Sequence, residues 1–336
     1  MSTQEDFQAF YQTHLEPKLI AFEKQRKNIV GKLTFILFIY GILMIFAILA
    51  MITLFMITNE NCPSWLSTST LVLTIIGMIV LTLEVIRFYG RIKAPYKRPF
   101  KEEIIRPIVT FVDENLNYEP EKKIPVKEFQ TSQLFKREYG HKVDRWTGDD
   151  YVEGTLDNTT MIFSEVHAQE EKTDKEGSYY DTVFKGLFFI FNYDLKFKGV
   201  TLVLPNEQSF FSKFVEKLFF WRKTEGRELV KLGDPEIDRE FLVYSDNPTM
   251  ARHVLSTNFM HRLLAFRRQL KKQIYLSFVN GKLYLAIYVK EDLFEAPVLG
   301  TVLNYELLQE IFEYLQLGKE IAEDLIIYLG EANRSL

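Results

Sequence analysis

The sequence predicts an α+β protein, an N-terminal helical hairpin able to cross a membrane followed by a domain of mainly antiparallel sheet with packed helices. Three observations carry that class. Two long apolar runs, Leu33–Ile57 and Leu66–Leu83, stand near the N-terminus, each of about 18 residues or more, enough to cross ~30 Å of hydrocarbon at ~1.5 Å per residue. Beyond residue 100 the apolar residues fall into short periodic patterns, some alternating and some at three- and four-residue spacing. Those helical and strand patterns come in mixed order, which fits α+β rather than a regular βαβ alternation.

The chain divides accordingly into residues 1–32, a hairpin over 33–89 (33–57 and 66–89), a basic neck over 90–99, and a domain over 100–336. The first segment reads as an amphipathic helix, with Phe7, Phe10, Tyr11, Leu15, Leu19 and Phe22 on one stripe among Glu, Gln and Lys. Two destinations are open to that stripe: packing on protein, or lying in the headgroup plane. Lys24, Arg26, Lys27 and Lys32 precede the first run, and Arg87, Arg91, Lys93, Lys97, Arg98 and Lys101 follow the second. The stretch between the runs, Thr58–Trp65, holds Glu60 and neither Lys nor Arg. That asymmetry places both termini in the cytosol and the short loop outside. The first run is too long and too far from the N-terminus for a cleavable signal peptide.

Ser67, Thr70, Thr74, Gly77 and Glu84 recur at helical spacing in the second run. The small and hydroxyl residues mark a face for the first helix or for a second copy, with Glu84 paired to Arg87 near the cytosolic end. The one cysteine, Cys62, sits in the outer loop. It excludes an internal disulfide and any multi-cysteine metal site, and leaves an ordinary loop residue or an intermolecular bridge.

Residues 1–102 carry 11 Lys and Arg against 7 Asp and Glu, whereas residues 103–336 carry 30 against 38. A domain of net charge −8 offers no electrostatic footprint for nucleic acid and meets anionic lipid only at its basic neck. Its elements follow in order. Pro95 and Pro99 are expected to break the helix within Ala94–Pro99. Phe100–Leu116 reads as a new helix, Asn117–Lys123 as a polar link, and Val126–Phe135 as a short helical piece. Tyr151–Leu156 and Met161–His167 form a hairpin around Asp157-Asn158. Thr182–Asn192 is an aromatic strand with Gly199–Leu204 as partner, and Gln169–Ser178 a mobile loop tip.

Ser209–Phe220 reads as a helix, and Glu228–Leu232 and Glu240–Tyr244 as short strands. Asn247 and Pro248 open one long helix to Leu270. Asn280-Gly281 sets a type I′ turn between Ile274–Val279 and Lys282–Val289, because Asn and Gly both accept positive φ. Two closing helices, Asn304–Leu317 and Lys319–Leu329, are expected on either side of Gly318.

The search for chemistry returns little. No phosphate-cradling loop, G-x-S-x-G elbow or H-E-x-x-H occurs. His14, His141, His167, His253 and His261 are scattered, and no cofactor, metal or catalytic residue is assigned. Asp149 and Asp150 precede a strand, where turn chemistry explains them; a site built from Asp149, Asp150 and His167 is the alternative.

The blocks Gly148–Ala168, Phe184–Pro205, Arg239–Arg267 and Ile274–Val298 together resemble a family of uncharacterised bacterial proteins. Its members carry two close membrane helices and a domain of unknown function, and are often encoded beside LemA-type membrane proteins. The resemblance implies a two-pass protein of the bacterial cytoplasmic membrane, with a LemA-like partner or self-association, and supplies no site residues. Two functional classes stand: a membrane-anchored interaction or scaffold module, and a membrane-tethered, hydrolase-like enzyme using Asp149, Asp150 and His167.

Overall fold

Long apolar helices and a doubly buried sheet organise the chain. The computed structural model describes residues 3–61, 64–135, 143–156, 159–175, 177–192, 199–206, 226–298 and 300–335. Cys62, His141, the Asp157-Asn158 turn and the helix expected over Ser209–Phe220 lie outside the described residues. The chain separates into two compact units, Thr3–Ile105 with Glu295–Tyr305, and Arg106–Phe294 with residues 306–335.

The first unit is built on helices α1 (Gln4–Phe10), α2 (Glu16–Asn61) and α3 (Ser64–Phe100), with a π-helical turn at Tyr11–Leu15 between α1 and α2 and another at Lys101–Ile105 after α3. Thr3 and Asp6 form a reciprocal capping box at the start of α1, satisfying two otherwise orphaned N–H groups. Phe7, Tyr11, Leu15, Leu19 and Phe22 are buried, which selects packing over the headgroup plane for that stripe; Phe10 stays partly exposed. Tyr11 meets Tyr305 edge-on at 5.0 Å, and Phe22 meets Tyr96 at 5.8 Å and Phe100 at 5.7 Å.

Those aromatic contacts overturn the expected helix break. α3 runs unbroken through Pro95 and Pro99 to Phe100. A proline removes one intrahelical hydrogen bond and crowds the carbonyl four residues back, a local cost that packing of Tyr96 and Phe100 on Phe22 overrides.

α2 and α3 are both long and apolar enough to cross a membrane. They lie side by side along Leu33, Ile36, Tyr40, Met44, Ala47 and Met51 of one and Thr74, Met78, Leu81, Val85 and Tyr89 of the other, the partly covered positions of each. A hydrogen bond of 2.8 Å joins Tyr40 and Thr82. Outside that seam the apolar side chains are exposed, Phe35, Phe38, Phe46, Leu73 and Ile86 by more than half. At Gly77 the seam departs from the small-residue face read in the sequence, the Glu84–Arg87 pair is as expected, and the side chains of Ser67 and Thr70 lie outside the described ones. Thr74 lies on the seam, but Gly77 would meet nothing within 4 Å with a Cβ added, and Glu84 is exposed and bonded to Arg87 at 2.5 Å. Larger Met, Leu and Val side chains one stripe over fill the groove instead.

The second unit opens with α4 (Arg106–Val112), so the expected helix over Phe100–Leu116 stops short. β1 (Leu116–Glu119) replaces the expected polar link. Then follow α5 (Val126–Thr131), β2 (Arg145–Leu156), β3 (Thr159–Asp174), β4 (Gly177–Asn192), β5 (Val200–Pro205), β6 (Glu228–Val230), α6 (Pro235–Glu240), β7 (Phe241–Ser245), α7 (Pro248–Val254), α8 (Thr257–Leu270), β8 (Ile274–Val279), β9 (Lys282–Tyr288) and α9 (Tyr305–Ser335). Among the described residues the strands form one antiparallel sheet in the order β1-β2-β3-β4-β9-β8-β5-β7-β6.

Both faces of the sheet are buried. One face sets Val166, Phe184, Phe188, Ile190, Tyr284 and Ala286 under Phe129, Leu134 and Phe135 of α5 and its exit. Glu128 ties that cover down by accepting from Lys282 Nζ and Tyr284 Oη, each at 3.0 Å. The opposite face carries Met161, Phe163, Phe189, Leu283 and Leu285, and α9 packs on it: a Cβ on Gly318 would stand 2.9 Å from Phe189 and 3.0 Å from Met161 Sδ.

Four further expectations are corrected here. Gly318 does not divide two helices, because α9 is continuous and the glycine serves close approach to the sheet. The helix after Asn247 is two helices, since Ser256 supplies a second cap to the Phe259 N–H at 3.3 Å. β5 pairs with β7 and β8 rather than with β4, whose neighbours are β3 and β9. Finally, Gln169–Ser178 is not a loose tip. β3 and β4 stay paired to Asp174 and Gly177, with Lys172 ion-paired to Asp181 and Arg145 5.7 Å from the Tyr180 ring centre.

The Asn280-Gly281 turn is as expected, with φ of 51° and 77°. Gly281→Val therefore costs ~1–3 kcal/mol of strain, and Gly318→Leu a similar ~1–3 kcal/mol by overpacking α9 against the sheet. Thermal unfolding checks both; a wild-type melting temperature in either variant would refute its stated mechanism.

Candidate functional site

Among the described residues, the polar cluster that involves Asp149, Asp150 and His167 lies on β2 and β3, on the α9 face of the sheet. β2 begins at Arg145, so Gly148-Asp149-Asp150 falls inside a strand rather than before one, at a bulge between Asp149 and Val152. The bulge absorbs Asp150 in a left-handed conformation, φ 57°, which Asp tolerates better than most residues. There its N–H donates to the Pro120 carbonyl at 3.2 Å, and its fully buried carboxylate accepts from the Tyr118 hydroxyl.

Strand alternation brings a third acid to the place. Asp149 pairs with Glu165 across the ladder, and Met161, Phe163, Glu165 and His167 share one face of β3. Glu165 is 6 % exposed and accepts from the Leu293 N–H at 3.2 Å. Burial pushes its carboxyl up to about 8, and the charges of Asp150, Asp292 and Asp149 add to the shift. His167 stands opposite Lys185, bonds Thr182 at 2.9 Å, and is held below the usual histidine range by burial and then by Lys185. Lys185 is itself paired with Asp292 at 2.7 Å.

The structure thus assembles Asp149 and Asp150 with Glu165, with His167 two residues further along β3. Sequence reasoning missed Glu165, Tyr118 and Asp292. Glu165 was findable from the inward half of the alternation Met161-Phe163-Glu165-His167; Tyr118 and Asp292 come from distant elements with no sequence signal. Chemically, burial and the neighbouring acids favour the protonated form of the Glu165 carboxyl. The cluster also fastens backbone, Pro120 through Asp150 and Leu293 through Glu165. Among the described residues no three His, Cys, Asp or Glu side chains gather so as to hold a metal ion. His253 and His261 lie on different helices, and His261 bonds Asp234 at 2.8 Å.

Glu165 makes stability depend on pH. Its folded carboxyl titrates near 8 against an ordinary value of 4.5, so the folded state holds a proton that the unfolded state has released. Stability is full below about 4.5 and falls as pH rises to about 8. Glu165→Gln, neutral throughout and still an acceptor for Leu293, removes that dependence. It is expected to match wild type near the lower end and exceed it by ~1–4 kcal/mol at the upper end. Parallel melting curves across that window would show that Glu165 ionises normally.

Comparison with known proteins places part of this unit. No curated protein matches the chain. Among solved structures, the crystal structure of the mycobacterial trehalose monomycolate transport factor A, TtfA, is similar with a TM-score of 0.33 and 13% identity, over 69% of this chain and 94% of that one. A likeness that faint decides nothing about fold or activity. Residues 182–326, from β4 into α9, match the model of a family described as "Protein of unknown function (DUF3137)".

Proposed function

We propose that this chain is a membrane-anchored interaction module. In this reading α2 and α3 cross a bacterial cytoplasmic membrane as a two-pass hairpin, both termini lie in the cytosol, and the sheet unit engages a protein partner. The carrying observation is the surface of α2 and α3: among the described side chains, the large apolar ones outside a narrow seam are exposed along both runs. Such a surface is unfavourable in water and at home in hydrocarbon, at ~25 cal/mol per Å² of apolar area. The Lys and Arg distribution around the runs supports the orientation. The family resemblance makes a LemA-type membrane protein the first partner to test, with self-association as the other.

A second reading, a membrane-tethered hydrolase-like enzyme at Asp149, Asp150 and His167, draws support from one observation, the proton-holding Glu165 beside those residues. Against it stands the bonding of the cluster: Asp150 to Tyr118 and Glu165 to Leu293, both in structural roles.

Two measurements test these readings. A membrane-impermeant thiol reagent on intact cells is expected to label Cys62, and a C-terminal reporter to be active only in the cytosol; activity only on the outer side would reverse the orientation. Asp149→Asn with Asp150→Asn is expected to leave partner capture from membranes intact, because Asn tolerates the left-handed bulge and still accepts the Tyr118 bond. Loss of a hydrolytic activity in that double variant, with its fold retained, would favour the enzyme.

A further inference from the structure

We propose that the base of the hairpin is a binding collar for anionic phospholipid headgroups, formed by Lys24, Lys27 and Lys32 on α2 and Arg87 and Arg91 on α3. The proposal rests on the membrane reading above and adds to it a ligand class and the residues that take it. All five side chains are exposed.

Charge is sorted by depth in this unit. Glu23 is buried and turned inward, accepting from Arg26 at 2.7 Å, from Thr301 and from the Val302 N–H at 3.2 Å. Arg26, which that pair consumes, also donates to the Val298 carbonyl at 3.2 Å. Lys97 and Lys101 are occupied by Glu295, at 2.6 and 3.3 Å. Segment 295–305 thus takes up one carboxylate of α2, Lys97 of α3 and Lys101 of the turn after it, and what remains on the outside is basic. Between residues 23 and 32 and between 84 and 91, the exposed charges are the five cations and one carboxylate, Glu84, bonded to Arg87. Glu23 touches Lys27 only at 3.9 Å.

Height along the helices matches the occupant. At ~1.5 Å per residue, Lys32 adjoins the end of the apolar run at Leu33, and Lys27 and Lys24 lie ~9 and ~13 Å below it. Arg87 and Arg91 lie ~6 and ~12 Å beyond Leu83 on the same scale. The headgroup layer is ~5–8 Å deep. Long cationic side chains reach towards it by snorkelling, and the potential of an anionic leaflet persists for about a further Debye length of ~8 Å. Two cations fall within the layer and three within reach of its field, on both helices of the hairpin. A neutral zwitterionic headgroup gains little from such a ring; a headgroup with a net negative charge gains from each cation.

The test uses the full chain reconstituted in mixed bilayers with spin-labelled phosphatidylglycerol or phosphatidylcholine, reading the fraction of motionally restricted lipid at the protein. Wild type is expected to select phosphatidylglycerol by at least about twofold. Selectivity is expected to vanish in the variant K24Q/K27Q/K32Q/R87Q/R91Q, and in wild type as KCl is raised from about 50 mM to about 1 M. Replacing the three lysines with Arg is expected to retain it. The salt series needs no substitution, so misfolding of the Gln variant does not decide the outcome. Equal association of the two lipids with wild type, or selectivity that survives both salt and substitution, overturns the collar. Absence of restricted lipid of either kind overturns the membrane reading, and the collar with it.

Discussion

Burial of the sheet on both faces is the constraint from which the rest of the second unit follows. A sheet with one wet face can alternate apolar and polar residues; this one cannot. Phe188 and Phe189, neighbours on β4, point to opposite faces and are both fully buried. The central strands therefore read as continuous apolar and aromatic runs, and each face needs its own cover, α5 on one side and α9 on the other. Close packing then dictates details. Gly318 lets α9 lie close against Phe189 and Met161, and Glu128 is placed to hold α5 over Tyr284 and Lys282.

Polar groups inside such a sheet must be bonded, and the Asp150–Glu165 cluster shows how. The Asp150 carboxylate accepts from the Tyr118 hydroxyl while its backbone N–H holds the Pro120 carbonyl, and the Glu165 carboxyl accepts from the Leu293 N–H. Two carboxyl groups so close in a dry place do not both ionise readily, so one keeps its proton. The bulge that admits Asp150 and the shifted carboxyl of Glu165 are two consequences of one local demand, tying irregular chain to a doubly covered sheet.

The first unit obeys the opposite rule along α2 and α3. There the apolar side chains stay outside, only a thin seam is covered, and the buried interactions concentrate at the base. Glu23 with Arg26, and Glu295 with Lys101, are ion pairs largely withdrawn from solvent, and at the first of them charge-assisted hydrogen bonds to backbone groups help offset desolvation. Arg26 consequently holds the Glu23 carboxyl down at about 2. Inward carboxylates and outward cations are thus one arrangement seen from two sides.

Local patterns alone were sufficient for several features, because their causes are local. Apolar length marked α2 and α3, the stripe from Phe7 to Phe22 marked a buried face, and Asn280-Gly281 marked a turn that only positive φ permits. Tertiary structure decided whatever depends on partners distant in sequence. Pro95 and Pro99 stay helical because Phe22 packs against Tyr96 and Phe100. β5 joins β7 and β8 because pairing is chosen by the whole sheet, and the polar 169–178 segment stays extended through cross-strand bonds that no composition records. The acid cluster was half legible: Asp149 and Asp150 stand together in the sequence, but their burial, and the arrival of Glu165, Tyr118 and Leu293 around them, exist only once β1, β2, β3 and the segment after β9 are brought together. Helical period, turn chemistry and hydrophobic length are properties of neighbouring residues, whereas strand order, desolvation and a shifted carboxyl are properties of what folding sets beside them.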